Sequence, residues 1–158
     1  MSEILHRMHG TGGIDCDFCD PTSFREAELF IEGQFTFFAC DAFDPTQVLP
    51  GGGIICPRAH RETPFDLTPE EWAETQDLLR RAKAMLDERL RPDGYNLIWN
   101  VMPEAGQEVA HVHRHLIPRF HDEPFAGQGA RWHLKQTENR RPNPLALGSE
   151  RTAIGPLI

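Results

Sequence analysis

Short apolar stretches separated by turn signals alternate along the chain with one long segment of helical period. Residues 27–43, AELFIEGQFTFFACDAF, read as two strands around a turn at Glu32 and Gly33. Residues 52–58, GGIICPR, predict a third strand. Residues 67–90, LTPEEWAETQDLLRRAKAMLDERL, predict the longest helix. There Thr68 is placed to cap the N-terminus, Pro69 suits the first helical position and Glu71 completes a capping box. Trp72, Leu79, Ala82, Leu86 and Leu90 recur at spacings that give one buried face. Leu78 and Met85 are apolar beyond what that face needs. The segment RPDG ends the helix, and residues 95–101 (YNLIWNV) and 111–119 (HVHRHLIPR) predict strands four and five. After Phe120 the chain turns polar and rich in Gly and Pro, which predicts an extension with limited regular structure, packed on its own domain or on a partner subunit. One long helix against about five mostly hairpin-linked antiparallel strands predicts an α+β domain over residues 1–120, with the extension over 121–158.

Composition narrows the function classes. The chain has 158 residues, 25% of them charged and 39% hydrophobic, which suits one soluble domain with a hydrophobic core. No apolar run approaches the ~20 residues that span a bilayer, and the first residues, MSEILHRMHGTGG, lack the apolar core of a secretory signal. A cytoplasmic protein that does not engage a membrane is the resulting expectation. A net charge of −8 disfavours long nucleic acid as a partner but leaves room for a small anion held by a few donors. Four cysteines in that compartment do not suggest a disulfide framework. Cys16 and Cys19, in a C-x2-C pair, suit a metal or a redox pair. Cys40 and Cys56 lie in apolar stretches and are expected to be buried thiols.

The row HVHRHLIPR concentrates chemistry. On a strand, His111, His113 and His115 would share one face at intervals of about 6.6–7 Å, with Val112, Arg114 and Leu116 on the other. Three imidazoles on one face could bind a catalytic metal. Alternatively, one could act as a nucleophile while its neighbours bind metal or donate to an anion. Neutral imidazole is nucleophilic near pH 7 and can attack phosphorus.

The stretch AGQEVAHVHRHLIPR resembles the signature of the histidine triad (HIT) family, His-x-His-x-His followed by two apolar residues. The segments CDFC, GGGIICPRAHRETPFDLTPEE and DGYNLIWNV fall in the family's order and spacing, so the resemblance runs from about Cys16 to Arg119. It implies a homodimeric α+β nucleotide-binding enzyme that attacks the α-phosphorus of a nucleotide with the middle triad histidine, here His113. A nucleotidyl-histidine intermediate is then resolved by water or another acceptor. Nucleoside phosphoramidates, acyl-adenylates and dinucleoside polyphosphates are the implied substrates. On the same resemblance His115 hydrogen-bonds the phosphate, Asn100 faces the phosphate region, Gly106 and Gln107 form the loop that approaches it, and Asp44 accepts the ribose hydroxyls. Asp44 beside Pro45 also reads as a surface turn. Two positions depart from the pattern. Glu108 stands where relatives carry Ser or Thr that helps protonate the leaving group, and a Glu serves as general acid only with a raised pKa. Gly52 takes the place of a His in the family's Pro-Gly-His.

The resemblance also implies a structural zinc held by Cys16, Cys19, His60 of the PRAH segment and His111. His111 would then hold metal, His113 attack and His115 hold phosphate. His6, His9, His121 and His133 receive no role. Two other functions compete with this hydrolase or nucleotidyl transferase. One is a nucleotide-binding regulatory module with little turnover. The other is a metallohydrolase with catalytic zinc on all three triad histidines, against which the complete ligand set elsewhere argues.

Overall fold

The computed structural model describes residues 16–24, 27–44 and 46–140. His6, His9 and the part of the extension beyond Arg140 lie outside them. Contacts divide the chain into two units, Met1–Ala126 and Gly127–Ile158. The first contains a five-stranded antiparallel sheet of β1 (Leu29–Glu32), β2 (Thr36–Cys40), β3 (Gly53–Pro57), β4 (Gly94–Trp99) and β5 (Arg114–Arg119), in the order β1-β2-β3-β5-β4. It also holds the helix α1 (Pro69–Leu90). In the second unit the described residues form the short helix α2 (Ala130–Leu134) and a 3-10 turn over Thr137–Asn139.

Strand alternation gives each sheet face its own core. Leu29, Ile31, Phe38, Cys40, Ile55 and Leu116 face α1 and meet Leu78, Ala82 and Leu86. Phe37, Ala39, Ile54 and Cys56 point the other way, against Cys16, Phe18 and Phe24 from two N-terminal 3-10 turns, Asp17–Cys19 and Pro21–Phe24. Gly53 is required at the start of β3, because a Cβ there would lie 2.6 Å from both the Ala39 carbonyl oxygen and Cys40 Cβ. Cys40 and Cys56 are buried free thiols, as their apolar surroundings predict. Burial pushes the Cys40 thiol up to about 12.

α1 begins as its sequence dictates. The Thr68 hydroxyl accepts from the Glu71 amide, the Glu71 carboxylate accepts from the Thr68 amide, and Pro69 opens the first turn. Its buried face differs from the expected one. Glu71, Thr75, Leu78, Ala82 and Leu86 are buried, whereas Trp72 is 38% exposed. Leu78, read from sequence as surplus, is therefore central to the core. The stripe is hidden in the sequence because two of its positions are polar. Glu71 is satisfied there by the cap and by Arg61, whose Nε lies 3.2 Å from its carboxylate.

Glu74 ties α1 to the β1–β2 hairpin. Its carboxylate accepts from the backbone amides of Gln34, Phe35 and Thr36 at 2.6–2.7 Å and from the Thr36 hydroxyl at 3.0 Å. Desolvation alone would raise this carboxyl, but the four donors outweigh it and hold it below the ordinary value of 4.5. The contribution is therefore full above that value and is lost as pH falls through the lower folded one. Glu74→Ala is expected to cost about 2 kcal/mol at pH 7, since it strips the partner from several amides at once. The difference from the parent should shrink towards pH 3 in denaturant titrations.

Candidate active site

Three separate segments converge beside the second face of the sheet. The turn Asp17–Cys19 is closed by a 2.9 Å bond from the Cys19 amide to the Cys16 carbonyl, so the two thiols sit at its ends. His60 lies in the loop that follows β3. His111 lies in the approach to β5, where the Val112 amide donates to the Arg61 carbonyl at 2.7 Å. The Sγ atoms of Cys16 and Cys19 each lie 3.5 Å from His111 Nδ1, and Cys19 Sγ lies 3.3 Å from His60 Nδ1.

These four residues are close enough to hold one metal ion, their donor atoms all lying within 4.8 Å of one another. Tetrahedral zinc with Zn–S of about 2.3 Å and Zn–N of about 2.05 Å requires S···N separations of roughly 3.5 Å. The observed separations of 3.3–3.5 Å match that requirement. Ring orientation agrees as well. His111 Nε2 lies 2.8 Å from the Pro57 carbonyl oxygen, which can only accept. The proton is therefore on Nε2, and the Nδ1 lone pair faces the sulfurs, with Pro57 fixing the ring from outside. Burial above all holds His111 down at about 4, against the bond to Pro57, and so keeps it in the neutral form that a ligand needs.

The triad is arranged differently from a continuous strand. β5 starts only at Arg114, opposite Ile55 of β3, so His111 and His113 precede the ladder and His115 alone is within it. The regular pairing ends because the Val112 amide bonds the Arg61 carbonyl of the loop, outside the β3 ladder. The rings still gather on one side. His113 and His115 are 4.9 Å apart, centroid to centroid, and Phe18 lies 6.0 Å from His111 and 5.1 Å from His113. Val112 and Leu116 are buried on their own.

His113 is 2% exposed, and its Nδ1 lies 2.9 Å from the His111 carbonyl oxygen. That acceptor requires the proton on Nδ1, which leaves the Nε2 lone pair as the reactive atom. Burial lowers its pKa from 6.5, while the His111 carbonyl and the charge of Glu108 oppose the fall. His115 is pushed down to about 4, chiefly by burial. Both are thus neutral at pH 7: one with its Nε2 lone pair uncommitted to the His111 carbonyl, the other able to donate a hydrogen bond from a ring N–H.

The remaining expected residues fall into two groups. Asn100, Gly106 and Gln107 form one braced loop. Asn100 Nδ2 donates to the Gly106 carbonyl at 3.3 Å, and Gln107 Nε2 donates to the Glu62 carbonyl at 2.8 Å. Gln107 Oε1 accepts from the Met102 amide at 2.7 Å. The Gln107 amide therefore organises the loop. Gly106 takes φ +86°, and Met102 takes φ 67° with ψ 159°, a region that side chains rarely occupy. Glu108 is exposed at the end of this loop. Asp44 is also exposed, and its Oδ1 closes its own turn by accepting from the Thr46 amide and hydroxyl at 2.8 and 2.7 Å. Those bonds hold its carboxyl below the ordinary range. His121 pairs with Asp93 at 2.8 Å, away from the triad. Phe18 was not singled out from sequence. The only signal was an aromatic residue between two cysteines in a polar stretch.

A five-stranded sheet with one long helix, a tautomer-locked imidazole and a Cys2His2 cluster define a small α+β protein of the histidine-triad type. The HIT domain family matches residues 38–122, more than half of the chain, and the chain belongs to that family. It is 32% identical over 128 residues to an uncharacterized 16.1 kDa HIT-like protein of Mycoplasma pneumoniae, covering 80% of this chain and 83% of that one. It is 31% identical over 99 residues to a bis(5'-adenosyl)-triphosphatase of Dictyostelium discoideum, covering 63% of this chain and 64% of the relative. Among solved structures, a HIT family protein from Bacillus anthracis superposes with a TM-score of 0.62 at 28% identity, over 80% of this chain and 89% of that one. Among the described residues no helix is long and apolar enough to cross a membrane.

Proposed function

We propose that the protein is a nucleotide hydrolase or nucleotidyl transferase that uses His113 Nε2 to attack the α-phosphorus of a nucleoside phosphoramidate or dinucleoside polyphosphate. The observation that carries this reading is the 2.9 Å bond from His113 Nδ1 to the His111 carbonyl, which directs the free lone pair to Nε2. In the first step the Nε2–P bond forms, the bond from phosphorus to the leaving group breaks, and the leaving group takes a proton. Glu108, exposed at the end of the neighbouring loop, is the candidate donor in its protonated form. His115 donates a hydrogen bond to a phosphoryl oxygen, where charge accumulates. In the second step water attacks phosphorus and passes a proton to the Glu108 carboxylate left by the first step, the P–N bond breaks and neutral imidazole returns. Asn100 and the Gly106–Gln107 loop border the phosphate, and Asp44, through its remaining oxygen, is the candidate ribose partner. The triphosphatase activity named for the Dictyostelium relative supports a substrate of this class.

The test is a panel of adenosine and guanosine phosphoramidates and dinucleoside polyphosphates, with water or phosphate as acceptor. Turnover of at least one substrate is expected. Because burial holds the His113 pKa below its ordinary 6.5, the acid limb of kcat/KM should lie at lower pH than that of an unperturbed imidazole. Binding of the whole panel without turnover would mark a regulatory nucleotide-binding module instead.

A structural zinc on Cys16, Cys19, His60 and His111 belongs to the same reading, supported by the distances above. Bound there, it would fix the loops that carry His60 and His111, and no step of the reaction passes through it. The reading also includes a homodimer through α1 and β4, with residues 121–158 as an extension to the domain. β4 is an edge strand, and it carries Leu97 at 45% exposure with Trp72 of α1 at 38%. An open edge beside apolar side chains is a pairing surface. Light scattering at micromolar concentration should give twice the 18.0 kDa chain mass, and Leu97→Glu should shift it towards the monomer.

A further inference from the structure

We infer that Phe18 is a positioning residue that couples the Cys16–Cys19–His60–His111 metal clasp to the orientation of the His113 ring. The inference rests on the reading of His113 as nucleophile and concerns what holds that ring still. Phe18 lies between the two cysteine ligands, inside the three-residue turn Asp17–Cys19, and is 3% exposed. Its ring meets the His113 imidazole edge to face, 5.1 Å away at 84°. His115 meets the same imidazole at 4.9 Å and 80°. His113 therefore meets two near-perpendicular rings, and its Nδ1 is anchored to the His111 carbonyl. Phe18 packs directly against this imidazole.

Phe18 packs in the core cluster with Phe24, Phe37 and Ile54, and its backbone is set by the turn, which as an isolated 3-10 turn of three residues is marginal by itself. A metal ion gripping both of its ends supplies the missing constraint. From the metal, one connection runs through His111 and its carbonyl, and the second runs through Cys16, Cys19 and Phe18. Phe18 also touches Phe24 at 5.4 Å, so a purely structural role would make the two phenylalanines equivalent. They are not equivalent in their reach. Phe24, 4% exposed, stacks on Phe18 and on Phe37, and His113 is reached through Phe18.

The experiment uses the full zinc-loaded chain with 15N-labelled histidine and follows the His113 ring by NMR, assigning it through its loss in His113→Asn. The parent should show one sharp Nδ1–H tautomer and a nuclear Overhauser contact to Phe18. Phe18→Leu should retain stoichiometric zinc but broaden or mix the His113 tautomers, and kcat should fall roughly 10–100-fold with little change in KM. Phe24→Leu, a cavity of the same size in the same cluster, should leave the His113 signals and kcat near those of the parent despite a comparable loss of Tm. Chelating zinc from the parent, at a temperature where circular dichroism shows the helix and sheet retained, gives a measurement that needs no variant: the Phe18 contact and the single tautomer should be lost together. The inference is overturned if Phe18→Leu keeps the parental His113 signals, if Phe24→Leu disturbs them equally, if they survive in metal-free protein, or if no stoichiometric zinc binds. The ring signals decide the matter even if no substrate is turned over, so failure of the positioning role and failure of the proposed chemistry are told apart.

Discussion

His113→Asn lowers turnover of any substrate on which the parent is active by at least ~10³-fold, the scale set by loss of a nucleophile in other covalent enzymes. The side chain sits 2% exposed with its proton fixed on Nδ1. No nearby group offers the same lone pair. His111 has its Nδ1 turned to Cys16 and Cys19 and its Nε2 committed to Pro57, so it cannot stand in. His115 is neutral and adjacent, but it is placed to donate to the phosphate. His115→Asn is accordingly expected to cost less, on the order of 10²-fold, as for removal of one donor to a developing oxyanion. Both variants should retain the fold and the metal, which circular dichroism and metal analysis would check. Near-parental turnover by His113→Asn would assign the nucleophile elsewhere.

Metal removal has the largest expected effect on stability. The clasp joins residues 92–95 positions apart in sequence, Cys16 and Cys19 to His111, and ties in His60 41 positions from Cys19. Closing loops of that length constrains the unfolded chain, and the native chain alone presents the assembled ligands. In the proposed zinc site, binding that a free peptide ligand set achieves at about 10–16 kcal/mol would be folding free energy, so loss of at least ~5 kcal/mol on chelation or in Cys16→Ser is expected. Without a cation the Cys19 thiol is pushed up to about 11 by desolvation and by the neighbouring Cys16. Zinc uptake by stripped protein at pH 7 must therefore release protons, which calorimetry in buffers of different ionisation enthalpy would count. An unchanged Tm after complete chelation would remove the structural role.

The parts of this molecule legible in the sequence are those where local rules and tertiary structure agree. The α1 cap was readable because Thr68, Pro69 and Glu71 satisfy one another within four positions. Four of the five strands were readable because each buries apolar residues between turn signals, and β4, which buries none, was readable from its apolar run after the RPDG turn. The convergence of Cys16, Cys19, His60 and His111 followed from the family's spacing. The misread features share one cause, a group whose partner no local pattern encodes. Glu71 and Thr75 hid the true buried stripe of α1, and nothing local announces that Glu74 will cap the hairpin 38 to 40 residues away. The histidine row invited a continuous strand because its alternation is perfect. The amide of Val112 instead bonds Arg61, a loop partner that no periodicity encodes. Phe18 went unremarked for the same reason: its importance lies in a ring 95 positions later.

The central claim is that His113 becomes covalently nucleotidylated, and a quenched single turnover tests it most directly. The protein is mixed with a substrate from the panel labelled at the α-phosphorus, denatured during the reaction under alkaline conditions that preserve a phosphoramidate bond, digested and mapped by mass spectrometry. The account predicts a nucleotidyl group on the peptide containing residues 111–119, located on His113 and absent from His113→Asn. Product formation with no adduct at any time during the turnover, or an adduct on another residue, would contradict it.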